Sequence, residues 1–413
     1  MASATNRRLR ILAVLPWPDN PVMDGFAQRS HMIVDALNQL GDLQVLITTT
    51  RNENSEAAVE KMRQRIHHVN FMPISLGTLS LAHHGLINNS AELLAVLMTR
   101  PRGFLARDFM KQQKQKSQLQ HDTFDVVFYR SVPEYLYLSR LICTRYQIVD
   151  FDERQSEILK VENFNRQKQL QSRLFKYLEQ KVANRVDAVC LVKDEDAEDL
   201  TSQNTHELRN MPLNRAQKFN RRSDSGAPTI VFAGNFTHSP PNVDCARRIL
   251  QNIYPKIRAF VPECKLLLAG SGLSSLTPPL HSSLPGVEFR SDVEHISDVY
   301  ASASLLIYPV EFNPGSSVIL PEAICHGVPV VASQQAAKGQ PKELIDRGVV
   351  IVAQNDDEFT GNAIQLLNNR DKLLQLQKTA VQCASEFYPE SYFQTRFTEI
   401  ISGLTIENQI HFP

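Results

Sequence analysis

Apolar residues fall along this chain in short blocks, separated by stretches where they recur every three or four positions. Residues 9–15 form a compact apolar strand, and residues 16–26 a loop rich in Pro, Asp, Asn and Gly. Residues 27–40 then carry Met32, Ile33, Ala36, Leu37 and Leu40 at helical spacing, with Gly41 placed to stop the helix. Residues 43–48 read as a second strand. This β-loop-α-β order predicts a doubly wound parallel sheet, whose ligands sit at the carboxyl ends of its strands. Residues 124–129, 146–151 and 187–192 are further strands. A helix around residues 133–145 separates the first two, and an acidic helix start at residues 193–200 follows the third. Residues 155–184 read as a long polar helix or helix pair. Its apolar stripe (Ile158, Val161, Leu170, Leu174, Tyr177, Leu178, Val182) is explained by packing.

A polar, charged and turn-rich run at residues 215–228 has the composition of an interdomain linker. A second β/α series follows it, with strands near Ile230, Leu266, Val287, Leu305, Val330 and Val349. The expected organisation is an N-terminal domain at residues 1–215, a C-terminal domain at residues 228–388, and a terminal helix within residues 389–413.

Composition narrows the function classes. A chain of 413 residues exceeds one ordinary core. Lys plus Arg number 44 and Asp plus Glu number 44, so no charge excess argues for nucleic acid. No apolar run approaches the roughly 20 residues of a membrane helix. Pro16 and Pro18 interrupt the apolar stretch after the basic start, which argues against a secretion signal. Six scattered cysteines lack a Cys-x-x-Cys pair and read as reduced thiols. The expected compartment is the cytosol. Residues 100–120 are basic and Gln-rich beside Phe104, Leu105, Phe109 and Met110. They read as a solvated amphipathic helix, with peripheral contact to anionic lipid as the alternative.

The richest stretch is Gly315-Ser316-Ser317-Val318-Ile319-Leu320-Pro321-Glu322-Ala323-Ile324-Cys325-His326-Gly327, which leads into a buried strand at residues 329–332. It reads as a small-residue loop, a short helix opened by Gly and two hydroxyl residues, and a Gly stop. A helix start gathers unpaired N–H groups and suits a phosphate. Glu322 is expected about two turns along, within reach of a ribose attached to that phosphate. The stretch resembles the donor-sugar motif "…xLEAxAxGxPVVAS" of GT-B-fold retaining glycosyltransferases, in particular glycosyltransferase family 4. Phe232-Ala233-Gly234-Asn235 with Pro241-Asn242-Val243-Asp244 is similar to the "FxGxxxxxPNVDA" opening of the C-terminal domain in one branch. Residues 265–272, 286–289 and 303–309 resemble its next strands, so the likeness runs over residues 228–370.

The resemblance implies an α/β protein of GT-B architecture, with two Rossmann-like doubly wound domains facing across a cleft. The terminal helix would cross back to the N-terminal domain. It implies a retaining, metal-independent transferase that moves a sugar from a nucleotide-diphosphate sugar to a glycan, lipid-linked or small-molecule acceptor, with no cofactor. Gly315, Ser316, Ser317 and Val318 would supply donors to the diphosphate, the alternative being a plain N-cap. Glu322 would bind the ribose. Gly234 and Asn235 are either a diphosphate turn or a structural Gly turn. Gly25 and Phe26 resemble the flexible loop that faces the donor.

The departures matter. The family's Glu-x7-Glu would place an acid at Pro314, and the nearest upstream acid is Glu311. Ser317 and Ile319 stand where basic phosphate contacts are frequent. Arg130 replaces a frequent His and is either a phosphate or acceptor contact or a surface arginine. Arg29, Arg130 and Lys338 are the candidate cations for the diphosphate. Asp150-Phe151-Asp152 is an Asp-x-Asp that could hold a metal, but it fits a cleft or structural carboxylate pair better. Two rival readings remain, an inactive GT-B-like partner protein and a nucleotide-sugar epimerase.

Overall fold

The computed structural model describes residues 7–16, 25–49, 53–73, 122–140, 142–152, 154–161, 166–202, 204–212, 226–237, 239–273, 284–291, 293, 295–312 and 317–410. The chain divides into two compact units. One comprises Met1–Leu208 with Ser391–Pro413, the other Arg209–Glu390.

In the first unit, β1 (Leu9–Pro16), α1 (Gly25–Leu40) and β2 (Gly41–Thr49) follow the apolar pattern closely. Ile11 to Leu15 are fully buried, as expected for a parallel strand covered by helices on both faces. Each such Leu or Ile contributes about 1.5–3 kcal/mol of burial. Gly41 does not follow the helix as a cap; it opens β2. A Cβ there would lie 2.3 Å from the Leu9 carbonyl oxygen, so the residue is small because two backbones meet. The unit continues with α2 (Glu53–Arg63), β3 (His68–Pro73), β4 (Thr123–Tyr129), α3 (Val132–Leu138) and β5 (Cys143–Phe151). The polar stretch at 155–184 is a helix pair, α4 (Gln155–Val161) and α5 (Arg166–Ala183). Buried Glu179 joins the pair, accepting from Arg154 Nε at 3.1 Å and from Ser156 N at 3.0 Å. Strands β6 (Ala188–Leu191) and β7 (Thr205–Glu207) complete a seven-stranded parallel sheet of order β3-β2-β1-β4-β5-β6-β7. The acidic segment between them is a single 3₁₀ turn, Asp194–Ala197.

The second unit opens with β8 (Thr229–Ala233) and α6 (Pro240–Arg248), whose first turn carries the Pro pair that needs no N–H there. After α7 (Tyr254–Phe260) come β9 (Lys265–Ala269), β10 (Val287–Arg290), α8 (Ile296–Tyr300) and β11 (Leu305–Tyr308). Then follow α9 (Ile319–Cys325), β12 (Val330–Ser333), α10 (Gln334–Ala337), α11 (Glu343–Asp346) and β13 (Val350–Ala353). The unit closes with α12 (Asp356–Leu367) and α13 (Arg370–Phe387). Six parallel strands run β10-β9-β8-β11-β12-β13. Asn355 and Asn369 cap α12 and α13, each accepting at 3.0 Å from a backbone N–H three residues on.

The last helix, α14 (Tyr392–Ile410), packs on the first unit. Phe397 meets Phe128 of β4 edge-on at 5.4 Å, and Arg29 of α1 lies over the Phe393 ring at 5.6 Å. Arg396 Nε donates to the Glu207 carbonyl at 3.1 Å. The division between units falls after Leu208, earlier than the expected linker at 215–228. Residues 213–225 and the basic segment 100–120 lie outside the described residues. Among the described residues no helix is long and apolar enough to cross a membrane.

Candidate functional site

In both sheets the strand order reverses beside the first strand of the unit, between β1 and β4 and between β8 and β11. Open α/β sheets bind ligands outside the carboxyl ends of the strands at this switch. In the second unit that rule selects the turns after β8 and β11 and the start of α9.

The turn after β8 is held by backbone contact. Gly270, at φ +132°, has room for no side chain, because a Cβ would lie 1.9 Å from the Gly234 carbonyl oxygen. A Cβ on Gly234 would in turn lie 2.8 Å from the Asn242 amide nitrogen. That amide donates to the Asn235 carbonyl at 3.1 Å, and Asn235 Oδ1 accepts from Thr237 N at 2.9 Å. The structural reading of Gly234 therefore suffices for its identity. Asn242 fixes the shape of the turn, a role the sequence motif contains but does not disclose.

Helix α9 begins later than the sequence suggests. Its N-cap is Val318, in helical conformation, and its first residue is Ile319. Glu322 N donates to the Val318 carbonyl at 2.9 Å, so Glu322 sits in the first turn, not two turns along. Pro321 tolerates that position because first-turn N–H groups lack helical partners. Ser317 Oγ accepts from Ile319 N at 3.1 Å, a local turn in place of the expected hydroxyl cap. Gly315 and Ser316 lie outside the described residues. The helix ends in a Schellman motif: Gly327, at φ +71°, donates to Ile324 O at 2.9 Å, and Val328 N donates to Ala323 O at 2.9 Å. Gln340 Nε2 donates to the Ser317 carbonyl at 3.4 Å, and Gln340 Oε1 accepts from the Tyr388 hydroxyl at 2.7 Å, tying the loop to the end of α13.

Glu322 is buried, and burial pushes its carboxyl up to about 7. The Tyr300 hydroxyl is close enough to oppose that rise, yet makes no hydrogen bond of regular geometry. Backbone and ring fix the rest of the cluster. His326 Nδ1 donates to the Glu322 carbonyl at 2.8 Å, and its ring stacks on Tyr300 with centroids 5.0 Å apart. Burial holds the His326 imidazole below its ordinary value. The result is a carboxylate that can accept two hydroxyl donors, backed by a neutral aromatic pair.

Other predicted positions fall elsewhere. Glu311 is exposed just beyond β11 and pairs with Arg248 at 3.3 Å. Arg248 also donates to the Pro309 carbonyl at 3.0 Å and pairs with Asp356 at 2.5 Å. Lys338 is exposed at the end of α10. Gly25 and Phe26 begin α1, so the described part of that segment is helical.

Two candidate cations require correction. Arg130 is not at the surface. It is fully buried, with Nη1 donating to Asp150 at 2.9 Å and Nη2 to Asp152 at 2.6 Å. Arg29 is buried beside it, with Nε and Nη2 donating to the two Asp150 oxygens at 2.9 and 2.8 Å. These guanidinium groups face carboxylates, which leaves them badly placed to hold a diphosphate. The same pairs show what the Asp-x-Asp does: it neutralises two buried arginines at the carboxyl ends of β4 and β5.

Residues 227–369 match the family model described as glycosyl transferases group 1, a span from β8 to the end of α12. No curated protein matches the chain in sequence. Solved structures do match in fold. Sucrose-phosphate synthase from Thermosynechococcus elongatus aligns with a TM-score of 0.68 and 13% identity over 97% of this chain and 100% of that one. HepE from Anabaena, in complex with UDP and glucose, gives 0.62 and 14% over 96% and 100%. A TarM mutant from S. aureus, in complex with fondaparinux, alpha-GlcNAc-glycerol and UDP, gives 0.64 and 10% over 95% and 99%. The fold is that of the GT-B glycosyltransferases.

Proposed function

We propose that the protein is a glycosyltransferase that moves a sugar from a nucleotide-diphosphate sugar to a glycan, lipid-linked or small-molecule acceptor, with retention at the anomeric carbon. One observation carries the reading: a buried carboxylate, Glu322, in the first turn of the helix that follows the sheet's switch point. The group 1 match over this unit and the UDP-bound structures of similar fold support the same assignment.

Glu322 would accept hydrogen bonds from both ribose hydroxyls of the donor. Charge develops on the diphosphate as the glycosidic bond breaks, so fixed donors there contribute most to rate. The Ser317–Val318 segment would supply backbone N–H groups, and Gln340 holds that segment in place. Of the three candidate cations, Lys338 alone is exposed, and it would compensate the diphosphate. Retention is accounted for by attack from the leaving-group face, with the departing phosphate taking the acceptor proton. No second protein carboxylate is then required. The reaction would need no metal, since the Asp-x-Asp is engaged by Arg29 and Arg130.

A thermal-shift screen of UDP, GDP, ADP and dTDP tests the reading. A nucleotide at one hundred times its dissociation constant adds about 2.7 kcal/mol of stability. No shift with any of the four would contradict a nucleotide-sugar donor site.

A further inference from the structure

We infer that Arg248 is a positioning residue for the donor site: its guanidinium fixes the loop that presents the Ser317–Val318 backbone to the diphosphate. The inference rests on the donor-site reading above and adds to it a residue from another element.

Arg248 is the last residue of α6, 61 positions before Pro309. The loop it holds leaves β11 after Tyr308 and enters α9 at Ile319. The first two loop residues, Pro309 and Val310, are buried. Arg248 Nη1 donates to the Pro309 carbonyl at 3.0 Å, and Ser333 Oγ donates to the Val310 carbonyl at 2.5 Å. Two consecutive loop carbonyls are thus paired by side chains from two different elements, while Gln340 takes the Ser317 carbonyl at the other end. A buried carbonyl that loses its donor must turn to another partner or to water, so the path of the loop depends on these bonds.

The guanidinium is itself held in place. Nε donates to Asp356 Oδ1 at 2.5 Å, and the group lies 5.7 Å from the centre of the Phe359 ring. Asn252 Nδ2 donates to the other Asp356 oxygen at 3.0 Å. Asn252 belongs to a π-helical turn, Ile249–Ile253, that continues α6, and wide turns of this kind are frequent at functional sites. Arg248 Nη1 also meets Glu311 Oε1 at 3.3 Å, but that carboxylate is 84% exposed and the pair contributes little. The contact that matters runs from Asp356 through the guanidinium to the Pro309 backbone. A planar fork serves a carboxylate with one N–H and a carbonyl with another, in fixed geometry.

Holding the loop and attracting the diphosphate through space predict opposite signs at Asp356. If the positive charge of Arg248 acted at a distance, removing the Asp356 charge would strengthen UDP binding. If Arg248 acts by holding the loop, removing that charge loosens the guanidinium and weakens UDP binding. Uridine is the control, because it carries the base and ribose but no phosphate to meet the Ser317–Val318 backbone.

The test is calorimetric titration of the full chain with UDP and with uridine at pH 8, for wild type, Arg248→Met, Asp356→Asn and the double variant. Arg248→Met should weaken UDP binding about tenfold and leave uridine binding within about twofold. Asp356→Asn should weaken UDP binding several-fold. The double variant keeps the wild-type net charge and should match Arg248→Met. Wild-type UDP affinity in the double variant, tighter UDP binding by Asp356→Asn, or equal losses for UDP and uridine overturn the inference. Equal UDP affinity in all four proteins does the same. Should Arg248→Met fail to fold, the sign of the Asp356→Asn effect decides alone. A wild type that binds neither UDP nor uridine overturns the donor-site reading itself, and the inference with it.

Discussion

The Arg29 guanidinium and the Asp150 carboxylate meet through two parallel hydrogen bonds of 2.9 and 2.8 Å, with both side chains buried. Arg130 and Asp152 extend this pair into a four-membered cluster at the carboxyl ends of β4 and β5. Removing one member leaves a buried charge uncompensated, which costs far more than the pair itself contributes.

Asp150→Asn should therefore lower stability by about 3–5 kcal/mol, read from urea unfolding at neutral pH. Added Mn²⁺ should not stabilise the wild type, and transfer activity should survive EDTA. Rescue of chelator-treated protein by Mn²⁺ would reassign Asp150 and Asp152 to a metal.

Glu322 makes stability depend on pH in a defined direction. Its folded carboxyl stands at about 7, above the ordinary 4.5, so the folded state binds the proton more tightly. Stability is then highest below pH 4.5 for this group and declines as pH rises through 7. Glu322→Gln should match the wild type at pH 4 and exceed it by about 3 kcal/mol at pH 8. Parallel unfolding curves at both pH values would show the carboxyl is not held up.

Two glycines should respond in opposite directions. Gly270→Ala places a Cβ against the Gly234 carbonyl at a positive φ and should cost about 1–3 kcal/mol. Gly361→Ala, inside α12 with nothing within 4 Å, should gain about 0.5–1 kcal/mol. Thermal melts of the two variants check both signs.

The central strands were readable because a parallel strand buried on both faces is a continuous apolar block, as residues 11–15 and 305–308 are. The edge strands of the first sheet were not. β7 has three half-buried residues, Thr205–Glu207, and β3 begins at a polar His68, so neither carries such a block. The Glu322 motif was legible through local order. Helix α9 starts later than its sequence suggests because Ser317 satisfies a nearby N–H in a turn, not at a cap. Arg29 and Arg130 looked available because charge in a sequence carries no sign of burial. Their partners, Asp150 and Asp152, lie 121 and 22 positions away in the respective pairs.

Lys338→Met should weaken UDP binding about tenfold or more, the loss of one charge-assisted contact to phosphate. The fold should be unaffected, because the side chain is exposed. Equal affinity in variant and wild type would remove Lys338 from the site.

The most direct measurement is calorimetric titration of wild type and Glu322→Ala with UDP-glucose at pH 8, where the carboxylate is ionised. The account predicts saturable binding by the wild type and at least a tenfold loss in a variant that melts cooperatively. Equal binding by the two folded proteins would contradict it.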